Sequence, residues 1–147
     1  MRFVFSADDV PPPSGFDLGH LEVAGNLGSY SSRGHAPDQA MMIYVSLSLL
    51  LDGLRSLVEA GRGGYAFGGV DSSFSLKFSL TKDGTLTTQA PGTPVDRSDV
   101  RTVVAAAWAA AEGFAAAHLP GLPPDDAGRQ DLEMSLAAFA PLVTRAG

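Results

Sequence analysis

The sequence predicts an α+β fold, in which an antiparallel β-sheet packs against a long buried central helix and two C-terminal helices. The first observation is the apolar segment Asp38–Glu59, which has the length and periodicity of a helix. The second is the alternation of apolar and polar residues in Phe74–Thr81, which is typical of an antiparallel strand with one wet face. The third is the element order (strands, long helix, strands, two helices), which lacks the short alternating units of a parallel βαβ sheet.

The central helix is predicted over Asp38–Glu59. Pro37 suits the first helical position, and Asp38 in the first turn would complement the positive end of the helix dipole. The glycine-rich run that starts at Gly61 is expected to end the helix, because glycine readily adopts the left-handed cap conformation. Met41 and Val45 interrupt an otherwise polar stripe on the side opposite the apolar face. One broad apolar face collects Ile43, Leu47, Leu50, Leu54, Leu57 and Val58.

This helix is predicted to lie in the core of the protein and not in a membrane. Its uninterrupted apolar part, Ala40–Leu51, is about a dozen residues long, whereas a membrane span needs roughly twenty. Asp52 and Arg55 follow at once.

Short strands are predicted before the central helix. Arg2–Phe5 reads as a strand, and Asp8–Gly19, with three successive prolines, reads as a loop. His20–Gly25 alternates as a half-buried strand does, and Ser29–Ser32 is predicted to pair with it as a weak edge strand.

The clearest β signal follows the central helix. Tyr65–Val70 and Phe74–Thr81 are predicted as neighbouring strands, with a turn at 71–73. Lys82–Gly84 is predicted to make a hairpin, because glycine supplies the positive φ that such turns require. Thr85–Gln89 is the returning strand, and the prolines and glycine of 91–94 are expected to close the β region.

Two helices are predicted at the C-terminal end. Asp96 or Ser98 would cap the first of them, and the proline-rich stretch from Pro120 would stop it. The second would start near Asp125 and Asp126, whose carboxylates suit a helix N-terminus. Pro141 is expected to end or kink this last helix. The apolar faces are formed by Val100, Val103, Val104, Ala107, Ala111 and Phe114, and by Leu132, Leu136, Phe139 and Val143.

Length and composition indicate one domain over residues 1–147. Hydrophobic residues make up 45% and charged residues 18%, which is enough to build a core. The formal net charge is −6, which argues against nucleic acid or an anionic membrane as partner and makes a basic protein partner electrostatically compatible. The chain contains no cysteine and starts without a signal-peptide pattern, so a cytoplasmic protein is expected.

One set of polar residues is predicted to contact a protein partner. The turn at 71–73 is expected to border the wet face of Phe74–Thr81, and Asp38 and Gln39 at the start of the central helix would extend the same rim. The predicted partner-binding residues are Asp38, Gln39, Asp71, Ser72, Ser73 and Lys77.

An alternative polar site is formed by Arg33, His35 and Asp38. A small enzyme could use His35, Asp38 and Asp71 in a pocket between the sheet and the central helix, provided that these side chains converge within hydrogen-bond reach. The three histidines lack the spacing of metal ligands, and the glycine-rich run follows a helix where a phosphate cradle would precede one. The sequence therefore predicts no metal, no cofactor and no catalytic residue.

Two stretches resemble a family of small proteins of unknown function that is common in high-GC actinobacteria. They are His35–Met42 and Val70–Phe74, in the middle of the chain. The resemblance implies a self-contained domain, and it carries no activity or catalytic residue to these positions.

The preferred function is a non-enzymatic protein-binding domain, such as an immunity-type or regulatory protein that occludes its partner. The alternatives are the small enzyme described above and a structural homodimer. In that homodimer, Met41 and Val45 would be buried across a two-fold axis.

Overall fold

The computed structural model describes residues 1–8 and 10–146, and the predicted α+β fold is confirmed. It has two antiparallel sheets where the sequence predicted one. The strands are β1 (Arg2–Ala7), β2 (Leu18–Ala24), β3 (Ser29–Ser31), β4 (Met41–Met42), β5 (Gly63–Gly68), β6 (Ser75–Leu80), β7 (Thr85–Ala90) and β8 (Thr93–Asp99). The helices are α1 (Ile43–Ala60), α2 (Val100–His118) and α3 (Ala127–Ala146), with a 3₁₀ turn at Leu119–Gly121.

The first sheet is built around β2. Strand β1 pairs with one side of β2, while β3 and β4 pair with different parts of its other side. The second sheet has the order β5-β6-β7-β8, so β5 and β8 are its edges. The turn at residues 26–28, between β2 and β3, joins the sheets, because Leu27 N and Gly28 N both donate to Val95 O of β8.

The core lies between the inner faces of the sheets and the helices. Leu50 and Leu51 of α1 are completely buried, as expected for a helix that is apolar on most sides. Helix α2 packs on the inner face of β1, where the rings of Phe5 and Phe114 lie 6.3 Å apart, and α3 packs against both α1 and α2. The left-handed conformation of Gly61 ends α1, as predicted.

Helix α1 starts at Ile43, so its predicted start at Asp38 is wrong. The backbone before Ile43 is engaged elsewhere: Asp38 Oδ1 accepts from Ala40 N, Met41 lies opposite Gly19 in the first sheet, and Met42 N donates to Val70 O. Met41 is completely buried, so it is not available as the two-fold contact that the homodimer alternative required.

The C-terminal half differs from the prediction at three points. Residues 93–99 form β8 instead of closing the β region, and Asp99 caps α2 where Asp96 or Ser98 was expected. Hydrogen bonds from Arg101 to Asp99 hold the pKa of this carboxyl below its ordinary value. Helix α3 continues through Pro141, because Ala137 and Pro141 are both exposed and the carbonyl that loses its partner can face water.

Within the described residues, one helical segment, Val100–Gly121, is long and apolar enough to cross a membrane. About 39% of its apolar window is buried inside the protein. The core helix of a soluble protein passes the same test, and alanine supplies much of the apolar character of this segment.

Candidate functional site

Two loops that are distant in sequence meet in one exposed surface, which we call the junction: Asp38, Gln39, Asp71, Ser72 and Ser73. Ser72 Oγ donates to the carbonyl oxygen of Gln39 over 2.8 Å, and it accepts from the backbone N–H of Phe74 over 3.0 Å. A single hydroxyl therefore fixes the turn between β5 and β6 and joins it to the segment before α1. Five of the six predicted partner-binding residues lie together here.

Asp71 has an uncommon backbone conformation. Its φ is 59°, which makes it the one non-glycine residue with a positive φ in the described part of the chain. Aspartate tolerates this left-handed region better than most residues, because its short polar side chain can bond locally. Asp71 and Asp38 are exposed, and neither takes part in the ion pairs of the described residues, which are Arg55–Glu59, Arg101–Asp99 and Arg129–Glu133.

Gln39 adds an unpaired acceptor to the junction. Its side-chain oxygen Oε1 is buried and has no hydrogen-bond partner within the described protein. Buried polar atoms in native proteins are nearly always paired, so a lone acceptor needs an explanation. The atom is enclosed by the protein itself, so a bound partner would reach it only if the Gln39 side chain moved.

Lys77, the sixth predicted residue, lies on the outer face of the second sheet, beyond the junction along β6. Ala66 of β5 and Gln89 of β7 are its cross-strand neighbours, and together they line a shallow concavity of about 370 Å³. The outer face here is formed mostly by small residues. The predicted wet face is confirmed, since Lys77 and Ser79 are exposed while Leu76, Phe78 and Leu80 are buried.

Arg33 and His35 line a separate concavity of about 350 Å³, on the face of the first sheet that points away from the helices. Arg33 Nη2 donates to Ser6 Oγ over 3.0 Å. His35 Nε2 lies 2.8 Å from the carbonyl oxygen of Ser31, so this nitrogen carries the proton and donates. This concavity does not lie between the sheet and the central helix, where the enzyme alternative placed its pocket.

The structure adds residues to this concavity that sequence reasoning missed. Arg2 and Glu22 line it from β1 and β2, and Tyr30 contributes a ring 5.5 Å from that of His35. The strand register brings these residues together, because Val4 lies opposite Glu22 and Glu22 lies opposite Ser31. The period-two pattern shows which face a residue occupies, but the pairing of strands is not visible in the sequence.

The side chains of the proposed enzyme site are bonded in different places. His35 bonds to Ser31 O, Asp38 bonds to Ala40 N, and no hydrogen bond joins either of them to Asp71 in the described structure. Asp38 is also absent from the lining of the concavity that holds Arg33 and His35. Among the described residues, no group of three or more His, Asp or Glu side chains is placed to hold a metal ion.

Comparisons with protein-family models, with curated proteins and with solved structures find no match to this chain. The resemblance of His35–Met42 and Val70–Phe74 to an actinobacterial family thus stays a prediction.

Proposed function

We propose that the protein is a non-enzymatic binding domain that recognises a protein partner through the junction, with Lys77 at the rim of the contact surface. The observation that carries this proposal is the Ser72–Gln39 hydrogen bond of 2.8 Å, which unites two loops into one exposed surface. Loops held on a rigid scaffold are where binding residues concentrate.

A further feature of the junction supports binding. A non-glycine residue with positive φ costs free energy, and such residues cluster at functional sites, so the conformation of Asp71 supports a role for this turn. Asp71 lies on the surface that the Ser72 bond holds together.

The chemistry of the junction favours a basic partner. Asp38 and Asp71 are exposed carboxylates outside the ion pairs of the described residues, and the whole chain carries a net charge of −6. Complementary charge raises the rate of association and selects among partners more than it raises affinity. An immunity-type or regulatory protein of the cytoplasm that occludes its partner would have this character, and the proposed cytoplasmic location is part of the same proposal.

The test is site-specific photo-crosslinking in cells of the natural host. A photoreactive residue at Ser73 is expected to give one discrete covalent adduct, whereas the same residue at Ala105, on the exposed side of α2, gives none. Neutralising the junction with Asp38→Asn and Asp71→Asn should reduce the adduct at least about tenfold, because paired charge across an interface is lost. The matched control neutralises two carboxylates elsewhere, Glu112→Gln and Asp125→Asn, and should leave the adduct unchanged. Absence of an adduct at Ser73, or an equal one at Ala105, contradicts the proposal.

The concavity around Arg33 favours a second candidate function, the binding of a small anionic ligand. Its volume of about 350 Å³ lies in the range of small-molecule sites, and Arg2 and Arg33 bring two guanidinium groups to one place, beside the single carboxylate of Glu22. A thermal-shift titration with simple carboxylates and phosphates tests this candidate. Stabilisation by a ligand that disappears in Arg33→Gln would support it, and the absence of any shift would remove it.

A further inference from the structure

Strand β5 presents an open edge of the second sheet. In an antiparallel ladder, alternate residues exchange backbone hydrogen bonds with the neighbouring strand, and the residues between them point their N–H and C=O groups outward. Gly69 N donates to Phe74 O at the end of the β5-β6 pairing. Counting back by twos, Gly63, Tyr65 and Phe67 are therefore the residues of β5 that exchange backbone hydrogen bonds with β6. The outward set in β5 is therefore Gly64, Ala66 and Gly68, all of which are exposed.

Val70, the next residue in the outward series, shows how this edge is closed beyond the strand. Its N–H donates to Ser46 Oγ over 2.9 Å, and its carbonyl accepts from Met42 N over 3.0 Å. Both outward groups of Val70 are thus satisfied by the start of α1. The outward groups of residues 64, 66 and 68 have no such partners in the described structure.

The opposite edge of the same sheet is covered. Leu27 N and Gly28 N donate to Val95 O of β8, and Asn26 forms two hydrogen bonds with the backbone of Arg97. In addition, β8 carries Pro94, which cannot donate. The second sheet therefore has one closed edge and one open edge.

The open edge also lacks the usual protection against strand addition. Natural edge strands carry charged residues, prolines or bulges, whereas β5 reads Gly-Gly-Tyr-Ala-Phe-Gly and pairs with β6 in an unbroken register. Leu49 of α1 is 44% exposed, and its carbonyl accepts from the Tyr65 hydroxyl, so apolar surface flanks the edge.

We propose that β5 pairs antiparallel with β5 of a second copy of this chain, around a two-fold axis at Ala66. In this register Gly64 lies opposite Gly68 of the second copy and Ala66 lies opposite itself. The three pairs would exchange about six backbone hydrogen bonds, two for each bonded pair. The two four-stranded sheets would become one continuous sheet across the dimer. The small side chains of the outward set leave the outer face free of clashes at the axis.

The closed position at Val70 selects this register. A shift of the axis toward the C-terminal end of β5 would bring Val70 into the ladder between the two copies. The outward N–H and C=O groups of Val70 cannot pair there, because they are already hydrogen-bonded to Ser46 and Met42. A shift toward the N-terminal end would draw in Arg62, which lies outside the strand. With the axis at Ala66 the intermolecular ladder ends at Gly64 and Gly68, because Met42 and Ser46 occupy the position beside Val70, and Arg62 lies beyond this end, near Asp71 of the second copy. Both of these charged residues are exposed, and neither has an ion pair in the described structure, so the two symmetric contacts are complementary in charge.

The dimer is expected to be weak, because one six-residue edge buries less surface than the roughly 1,200 Å² of a stable interface. Sedimentation velocity should show a mass of 15.2 kDa at low concentration that rises toward about twice this value as the concentration approaches about 1 mM. Ala66→Pro removes an outward N–H without touching the β6 pairing, so this variant should stay monomeric. Ala66→Thr, which keeps the N–H, is the matched control and should dimerise.

Hydrogen exchange provides a second readout that needs no variant. The amides of Gly64, Ala66 and Gly68 should exchange at least about twofold more slowly at the concentration where half of the chains are dimeric than at low protein concentration, because they become bonded only in the dimer. Arg62→Glu should weaken the dimer through like charge at Asp71. Wild-type protein that stays monomeric up to about 1 mM, or amides whose exchange is independent of concentration, would overturn the proposal. Because Asp71 also belongs to the junction, the dimer is tested with Ala66→Pro, which leaves the junction residues intact, and partner binding is tested separately by crosslinking at Ser73.

Discussion

The backbone N–H of Asn26 donates a hydrogen bond to Oδ1 of Asp96 over 3.1 Å, across 70 residues of sequence. Asp96 is only 1% exposed, and its other oxygen accepts from the Ser98 hydroxyl over 2.6 Å. The turn at residues 26–28 belongs to the first sheet and Asp96 to the second, so this carboxylate contributes to holding the two sheets together.

Replacement of Asp96 by alanine should destabilise the protein by about 1–3 kcal/mol, because two partly buried hydrogen bonds lose their common acceptor. Urea unfolding followed by circular dichroism measures the change. Asp96→Asn keeps one side-chain oxygen for Asn26 and should cost less. Equal stability of Asp96→Ala and wild type would show that the Asn26–Asp96 contact does not hold the sheets together.

Gly53 lies in the middle of α1, where the ring of Tyr65 packs directly over it. A Cβ atom at this position would lie 2.0 Å from Cζ of Tyr65. Glycine to alanine in a helix normally gains about 1 kcal/mol. Here Gly53→Ala should instead lose about 1–2 kcal/mol, because Tyr65 must leave its contacts with Phe78 and Leu49.

The control for this prediction is a double-mutant cycle. In a Tyr65→Ala background the space above Gly53 is empty, so Gly53→Ala should become stabilising. The same sign in both backgrounds would contradict the packing argument.

Tyr65 should also make stability depend on alkaline pH. Burial, and next the charge of Asp52, raise the pKa of this phenol above its ordinary value. A raised pKa in the folded state means that the contribution is complete below the ordinary pKa of about 10 and is lost as the pH rises through the folded value. At neutral pH, Tyr65→Phe should lose up to about 1 kcal/mol with the bond to Leu49 O.

The difference in unfolding free energy between wild type and Tyr65→Phe should therefore shrink above about pH 10. Chemical denaturation between pH 7 and pH 11 measures it. A difference that grows with pH would reverse the assigned sign.

Asp126 and Asp125 form a natural matched pair. Asp126 accepts from Arg129 N over 2.9 Å at the start of α3, and from Gly15 N over 3.0 Å in the loop after β1. Its neighbour Asp125 is exposed and has no hydrogen bond in the described structure. Asp126→Ala should cost about 1–2 kcal/mol, as the loss of a helix cap does, whereas Asp125→Ala should cost less than about 0.5 kcal/mol. Thermal melts of the two variants would contradict the assignment if they shifted equally.

The sequence allowed the correct prediction of elements whose signal is local. Alternation in Phe74–Thr81 identified β6 because the period of a strand is two. Two glycines with positive φ were also predicted correctly: Gly61 ends α1 with a φ of 80°, and Gly84 lies in the turn between β6 and β7 with a φ of 85°. Strand β8 was missed because Pro94 and the register shift at Thr88/Gln89 break the local pattern. Both features are compatible with an edge strand, and pairing with β7 compensates for them.

Long-range pairing explains the other errors. Asp38–Met42 has the apolarity of a helix start, but its backbone bonds to Gly19 and Val70 are tertiary contacts. The same kind of contact assembled the junction, whose two halves were each polar turns in the sequence. It also placed Arg2 and Glu22 beside Arg33.

The coverage of β8 by residues 26–28 of the same molecule has a consequence for uncontrolled polymerisation. A sheet with two available borders can recruit neighbours on both sides and elongate into a fibril, whereas the second sheet of this protein offers a site for strand addition on one side only. A symmetric pair would consume that site in both molecules. Through this sheet, growth would then stop at two subunits.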